Sequence, residues 1–282
     1  MKKLFTWVLI AIIGCGAISA CDDSDDNHEA VRPTPGPTKQ RTISKISAYY
    51  GYFEGYTGHY EYTFTYDDSK RVVEMDVNRD YDNLNLTIDY VSSKILNINE
   101  LYYDYVSQVD INNLGYITSI GLSAFTYGLS TFTYNSKGQL TNDSFYRPSN
   151  SDDGADYSHS TIYTWSNDNI ARVQQKNYKG NLWNLRVKYN DKDTNAVTLD
   201  LNWFVDPMNA FGSANVDFEL ATIGLMGKRC KNYITELIDE DDDWRVTYDW
   251  TYDSEGYPIE CVATEYTNSG KMTSRYFFVY SD

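Results

Sequence analysis

Tyr60, Tyr62, Phe64 and Tyr66 alternate with Glu61, Thr63 and Thr65, which puts aromatics on one face of an extended segment and polar groups on the other. A half-buried strand needs that period of two. Looser versions recur near 70–78, 83–90, 101–111, 126–134, 138–146, 157–166, 170–179, 182–190, 196–204, 244–252, 257–267 and 271–280. Their connections are mostly short and rich in Asp, Asn, Ser and Gly. The pattern predicts an all-β chain, a long antiparallel meander of about sixteen strands.

The corners share one plan. It is clearest in Tyr134-Asn135-Ser136-Lys137-Gly138 and Tyr252-Asp253-Ser254-Glu255-Gly256, with a relative at Tyr66-Asp67-Asp68-Ser69-Lys70 and variants at 111–115, 165–169 and 189–193. Asp or Asn opens a type I turn by bonding the backbone ahead, and Gly three residues later supplies positive φ, so the unit closes a short hairpin with a bulge. The Tyr ends the incoming strand, where its ring covers the turn and its hydroxyl reaches water. Unequal intervals between copies speak against a strict solenoid or propeller period.

Residues 205–227 break the rhythm. Asp206-Pro207 starts a turn, and Asn215 can cap a short helix whose Val216, Leu220 and Ile223 share a face before Gly227 ends it. Such an insert plugs a barrel end or covers a sheet edge. A lid over a ligand is the sharper alternative.

Ahead of the meander, Lys2-Lys3 and the apolar run Leu4 to Ile13 make a secretory leader, too short to span a bilayer comfortably. Ile18-Ser19-Ala20-Cys21 resembles the lipobox of bacterial lipoproteins, which implies lipid on Cys21; the competitor Ile12-Ile13-Gly14-Cys15 would shorten the apolar run. Asp22-Asp23-Ser24-Asp25-Asp26 looks like the acidic signal that sends Bacteroidetes-type lipoproteins to the outer face of the outer membrane, or serves as a solvated spacer. The residues up to 40, with Pro33, Pro35, Gly36 and Pro37, read as an extended tether. The expected organisation is a signal peptide at 1–20, a lipidated tether at 21–40 and a single β domain at 41–282.

Aromatics make up 16% of the 282 residues, and the formal net charge is −16. Without a basic stripe, that charge repels phosphate backbones and argues against nucleic acid as a partner. Cys230 and Cys261 remain after processing, and if 228–237, 244–252 and 256–267 form a meander they lie on strands separated by a third, roughly 10 Å apart at twice the strand spacing. That exceeds disulfide reach, and two free, buried thiols are expected.

Residues for chemistry are few. The three His are His28, His59 and His159, and no HExxH, Gly-x-Ser-x-Gly or phosphate loop occurs. Asp191-Lys192-Asp193-Thr194-Asn195 begins like a calcium loop, but Ala196 stands where the bend needs Gly and Asn202 where a bidentate Glu belongs. Asp239-Glu240-Asp241-Asp242-Asp243 has no spacing that fixes ligands. We assign no catalytic residue, metal site or cofactor. With 40 acidic residues, a carboxylate pair suited to glycoside hydrolysis discriminates nothing.

The corners resemble the Tyr-Asp repeats of shell-forming bacterial proteins, in fewer and less regular copies. The lipobox, the acidic Pro-bearing tether and the Tyr-rich meander are closer to a family of Bacteroidetes lipoproteins carrying a domain of unknown function with a porin-like fold. Gly224-Leu225-Met226-Gly227-Lys228-Arg229 before Asn232-Tyr233-Ile234 is similar to that family's late Gly-x-x-Gly-Lys passage. The resemblance implies a partly open, porin-like antiparallel barrel with no established activity. The expected protein is therefore a lipoprotein held by its lipid anchor on the outer membrane and facing the cell exterior. It would bind glycan or protein without catalysis, or, as alternatives, serve as a structural component of the envelope or as a glycoside hydrolase. A membrane barrel ranks last, because the outward rows mix in Thr, Glu, Asn and Lys. Trp183 and Trp244, near loops, form with Tyr56 the candidate ligand platform, although inward positions suffice to bury the aromatics.

Overall fold

The computed structural model describes residues 39–51, 57–79, 83–92, 95–100, 105–121, 129–147, 157–206, 218–268 and 270–281. Sixteen strands follow one another. The first eight are β1 (Ile43–Gly51), β2 (Thr57–Tyr66), β3 (Val72–Arg79), β4 (Asn83–Asp89), β5 (Ile95–Glu100), β6 (Tyr105–Ile111), β7 (Ile117–Gly121) and β8 (Leu129–Tyr134). Next come β9 (Leu140–Arg147), β10 (Tyr157–Ser166), β11 (Asn169–Lys176) and β12 (Leu182–Asp193). After an insert, β13 (Asn232–Asp239), β14 (Arg245–Tyr252), β15 (Pro258–Thr267) and β16 (Gly270–Tyr280) complete the set.

Each strand pairs antiparallel with its neighbours in the chain, and β1 also pairs with β16, Ile43 opposite Tyr280. The expected meander and barrel are present. Closure goes further than a partly open barrel, leaving one seam at β1 and β16, and a closed ring has no free edge to recruit another strand. Alternation sends Ile46, Ala48, Tyr62, Phe64, Met75 and Val77 into a buried interior. The outer face mixes exposed apolar residues with ion pairs: Lys45 meets Glu61 at 2.5 Å, Lys188 meets Glu236 at 2.5 Å and Arg275 meets Glu260 at 3.3 Å. A transmembrane barrel carries a continuous apolar band outside, which these ion pairs interrupt.

Even-numbered strands finish, and odd-numbered strands start, at the end where the chain also enters and leaves the ring. We call that end the base and the other the rim. At the base, Asp67, Asn112, Asn135 and Asp253 each accept two backbone N–H groups at 2.9–3.1 Å, from the residues two and four positions ahead. Gly115, Gly138 and Gly256 have φ of +83°, +77° and +89°, and Lys70 takes the same place at +61°. A register shift accompanies each turn. These are the type I turns with a bulge that the sequence predicts.

The Tyr hydroxyls, however, do not turn to water. Tyr66 Oη donates to Ile43 O at 2.6 Å, Tyr90 to Val72 O at 3.1 Å and Tyr134 to Ile117 O at 2.6 Å. Tyr189 donates to Ile170 O at 2.8 Å and Tyr280 to Pro258 O at 2.6 Å, while the Trp165 and Trp250 indoles donate to Leu140 O and Ile234 O at 2.6 and 2.7 Å. Seven of the eight even-numbered strands thus carry, near the base, an aromatic that ties them to the start of the preceding strand. β6 ends instead in Ile111, which has no donor. Inside the wall these carbonyls lack water, so a phenol or indole donor removes a penalty that a Phe would leave.

Between β12 and β13 the chain folds into the lumen. It forms a 3-10 turn (Thr194–Ala196), α1 (Leu201–Phe204) and α2 (Phe218–Thr222). The strand expected over 196–204 is absent. Val197, Leu199 and Leu201 alternate like a strand but are buried because this segment lies inside the barrel, and Asp200 caps α1 through Asn202 N at 3.3 Å. The insert therefore starts well before 205. Leu220 is buried in α2 as expected, but the helix ends at Thr222, followed by Gly224 with φ of +86°, ahead of Gly227. Asn215 and Val216 lie outside the described residues.

α1 spans the lumen. Phe204 packs edge-on against Tyr62 of β2 at 4.8 Å and Tyr276 of β16 at 5.9 Å, and Trp203 faces Tyr163 of β10 at 6.2 Å. β2 and β10 stand on opposite walls of the ring. The insert is also sewn into the wall. β13 and β14 share register only from Glu236↔Thr247 to Ile238↔Arg245, and closer to the base the Asn202 carboxamide takes the place of β14. It accepts from Ile234 N at 2.9 Å and donates to Asn232 O at 2.9 Å. Arg229 then gathers the carbonyls of Val197, Thr198 and Leu199 at 2.7, 2.7 and 3.2 Å.

Candidate functional site

Tyr56, Cys21, the leader and the tether up to residue 38 lie outside the described residues. Trp183 and Trp244 both come to the rim, on β12 and just ahead of β14, in line with inward-facing residues of their strands. Asp239, at the end of the intervening β13, lies beside Trp244 and opposite Leu185, 8% exposed. Leu185 is opposite Asp239 and Asp239 opposite Trp244, so Trp183 stands two strands away from Trp244 and two residues closer to the rim.

The two play different parts. Trp244 packs against the core, and its Nε1 donates to Glu265 Oε1 at 2.7 Å, so its ring is fixed. Trp183 is 41% exposed, and the same hairpin presents Tyr178 at 48% and Leu182 at 52%. Sequence reasoning missed Tyr178 and Leu182. The available signal was Asn177-Tyr178-Lys179-Gly180, another copy of the corner, whose Asn177 Oδ1 accepts from Lys179 N and Asn181 N at 3.0 Å. That turn lifts Tyr178 above the rim. His159 of β10 leans on Tyr178 with ring centroids 6.3 Å apart, and burial lowers its pKa, which favours the neutral imidazole.

The other candidates serve the fold. Asp193 Oδ1 accepts from Asn195 N at 2.8 Å and caps the 3-10 turn. In the acidic run, Asp239 Oδ1 accepts from Asp241 N at 2.9 Å, Asp241 accepts from Asn184 Nδ2 at 2.8 Å, and Glu240 pairs with Arg172 at 3.3 Å. Among the described residues, no group of three or more His, Cys, Asp or Glu is placed to hold a metal. Buried lumenal carboxylates are likewise engaged: Asp143 accepts from Tyr163 Oη at 2.7 Å, and Glu219 lies 3.8 Å from Arg79. Cys230 and Cys261 are free and buried, as their spacing predicts, and burial pushes the Cys230 thiol up to about 12, which makes it unreactive.

No protein-family model matches the chain, and no curated protein matches it. Among solved structures it is similar to a porin-like protein from Bacteroides uniformis, at 18% identity over 85% of this chain and 98% of that one, with a TM-score of 0.65. A second porin-like protein, from Bacteroides vulgatus, aligns at 13% identity over 86% and 99%, with a TM-score of 0.59. At these identities the likeness establishes the fold, and the chain has a porin-like β-barrel fold.

Proposed function

We propose that the protein is a lipid-anchored barrel on the exterior face of the outer membrane whose rim binds a glycan without transforming it. The observation that supports this is the exposure of Trp183 and Tyr178 together at the rim, since sugar rings stack on exposed aromatic faces. The chain joins the barrel at the opposite end. There Arg41 N donates to Ala196 O at 2.8 Å, Thr198 N to Arg41 O at 3.0 Å and Tyr257 Oη to Lys39 O at 2.6 Å. The rim is thus the end of the barrel opposite the chain's entry at Lys39 and Arg41. The filled lumen and charged outer wall agree with a binding module rather than a channel, and the porin-like neighbours agree with an outer-membrane setting.

Titration of the purified chain with surface polysaccharides tests the reading. Trp183→Ala weakens binding at least about tenfold, the loss of one anchoring aromatic, while the folded barrel stays intact by circular dichroism. Release of reducing sugar during the titration contradicts the non-enzymatic part. One observation favours a second reading, an envelope assembly partner: Tyr49, Phe277 and Val279 are exposed on the outer wall at the seam. Retention of a protein but no glycan on the immobilised chain selects that reading.

A further inference from the structure

Trp183 has a carboxylate fixed beside it. Beyond the pair Leu185↔Asp239 the two strands run on to the rim, where Glu240 N donates to Asn184 O at 2.8 Å, and this brings the turn after β13 alongside the indole. Asn184, next to Trp183 in the chain, donates through Nδ2 to Asp241 Oδ2 at 2.8 Å, and Gln174 Nε2 holds Asn184 Oδ1 at 2.8 Å. Asp239 Oδ1 in turn accepts from Asp241 N at 2.9 Å. Asp241 is therefore held through both backbone and side chain while it stays exposed. One bond leaves a carboxylate room to accept from further donors, and a partner meets this one with little ordering left to do.

The surrounding charge has one sign in excess. Asp242 and Asp243 follow Asp241, both exposed, and Glu240 is paired with Arg172 at 3.3 Å. Across the rim from this turn, the β11–β12 hairpin carries Lys176 and Lys179, and Lys179 Nζ lies 5.4 Å from the centre of the Tyr178 ring. Lys179 shades that ring, so stacking falls chiefly to Trp183. The carboxylates from Asp239 to Asp243 outnumber Arg172, Lys176 and Lys179, which leaves this sector net negative. It repels anions within a screening length of about 8 Å and attracts cations, and an indole face itself favours a cation.

Resting on the reading of the rim as a glycan site, we infer that its ligand carries amino groups. A sugar ring stacks on Trp183, and a protonated amine on that ring donates to Asp241. Neutral sugars are held more weakly and uronates are excluded. Trp183 supplies affinity for any such ring, and Asp241 sets the specificity.

Calorimetry on the purified full chain tests this with β-1,4-linked hexamers of glucosamine, glucose and glucuronate, at mildly acid pH and low salt, where the glucosamine amines are charged. The glucosamine hexamer binds at least about tenfold tighter than the glucose hexamer, and the glucuronate hexamer binds most weakly. Asp241→Asn brings the first two within about threefold of each other, as does raising the salt, whereas Asp68→Asn, at the base, leaves the ranking unchanged. Trp183→Ala weakens all that bind. Equal binding of the glucosamine and glucose hexamers, glucuronate binding as tight as either, or an unchanged ranking in Asp241→Asn overturns the inference and leaves the rim reading in place. Silence from all three hexamers overturns the rim reading and the inference with it.

Discussion

Lys70 stands where Gly115, Gly138 and Gly256 stand in the equivalent turns, in left-handed backbone that side chains with a Cβ resist. Lys70→Gly should therefore stabilise the barrel by about 1 kcal/mol, read from denaturant unfolding. The reverse exchange, Gly138→Ala, should destabilise by more. It adds the conformational penalty to a Cβ that would stand 2.8 Å from Tyr116 Cε2 and 3.2 Å from Leu114 Cδ1. Equal and small effects of the two exchanges would contradict the turn assignment. These corners were legible in the sequence because Asp or Asn and Gly act within five residues of one another. The partners of the Tyr hydroxyls were not, because Tyr134 reaches Ile117 O only once strands are paired in register. Trp183 could be singled out from its neighbouring turn, whereas the place of Asp241 beside it depends on β13 lying next to β12 and on the bond from Asn184.

At the scale of elements, the lumenal insert is the least readable part and the most constrained. Its apolar alternation fits a strand as well as a segment buried on every side, and only Asp200 ahead of Leu201 signals the helix. Burial raises the Asp200 pKa from 3.8 to about 6, against the pull of Arg229. The fold thus holds this proton up to about pH 6, while the unfolded chain releases it near pH 3.8. Stability consequently falls as pH rises from about 4 to 6 and is level above, by about 2–3 kcal/mol for this group at 1.4 kcal/mol per unit. Asp200→Asn keeps a capping oxygen and lacks the titration. The difference in unfolding free energy between the two chains should therefore change across that window in the variant's favour, and a constant difference would show that Asp200 is not buried as described.

For the whole molecule, the decisive property is which face of the wall is apolar. Sixteen strands can enclose a water-filled pore, but here α1 crosses the lumen from Tyr62 to Tyr163, and the ion pairs lie outside. A charged side chain facing lipid at the bilayer midplane costs about 2–4 kcal/mol, so the outer face with Lys45, Glu61, Lys188, Glu236 and Arg275 belongs in water. The sequence already showed these polar rows. Closure at the seam depended on pairing Ile43 with Tyr280, which no local pattern predicts. The reading proposed for the molecule is a water-facing, plugged barrel held to the membrane by its N-terminal segment. Proteolytic cleavage of the chain between residues 27 and 38 on isolated membranes tests this most directly. The account predicts that the barrel then passes into the aqueous supernatant without detergent, still folded. A cleaved barrel that stays in the membrane pellet through an alkaline carbonate wash would contradict it.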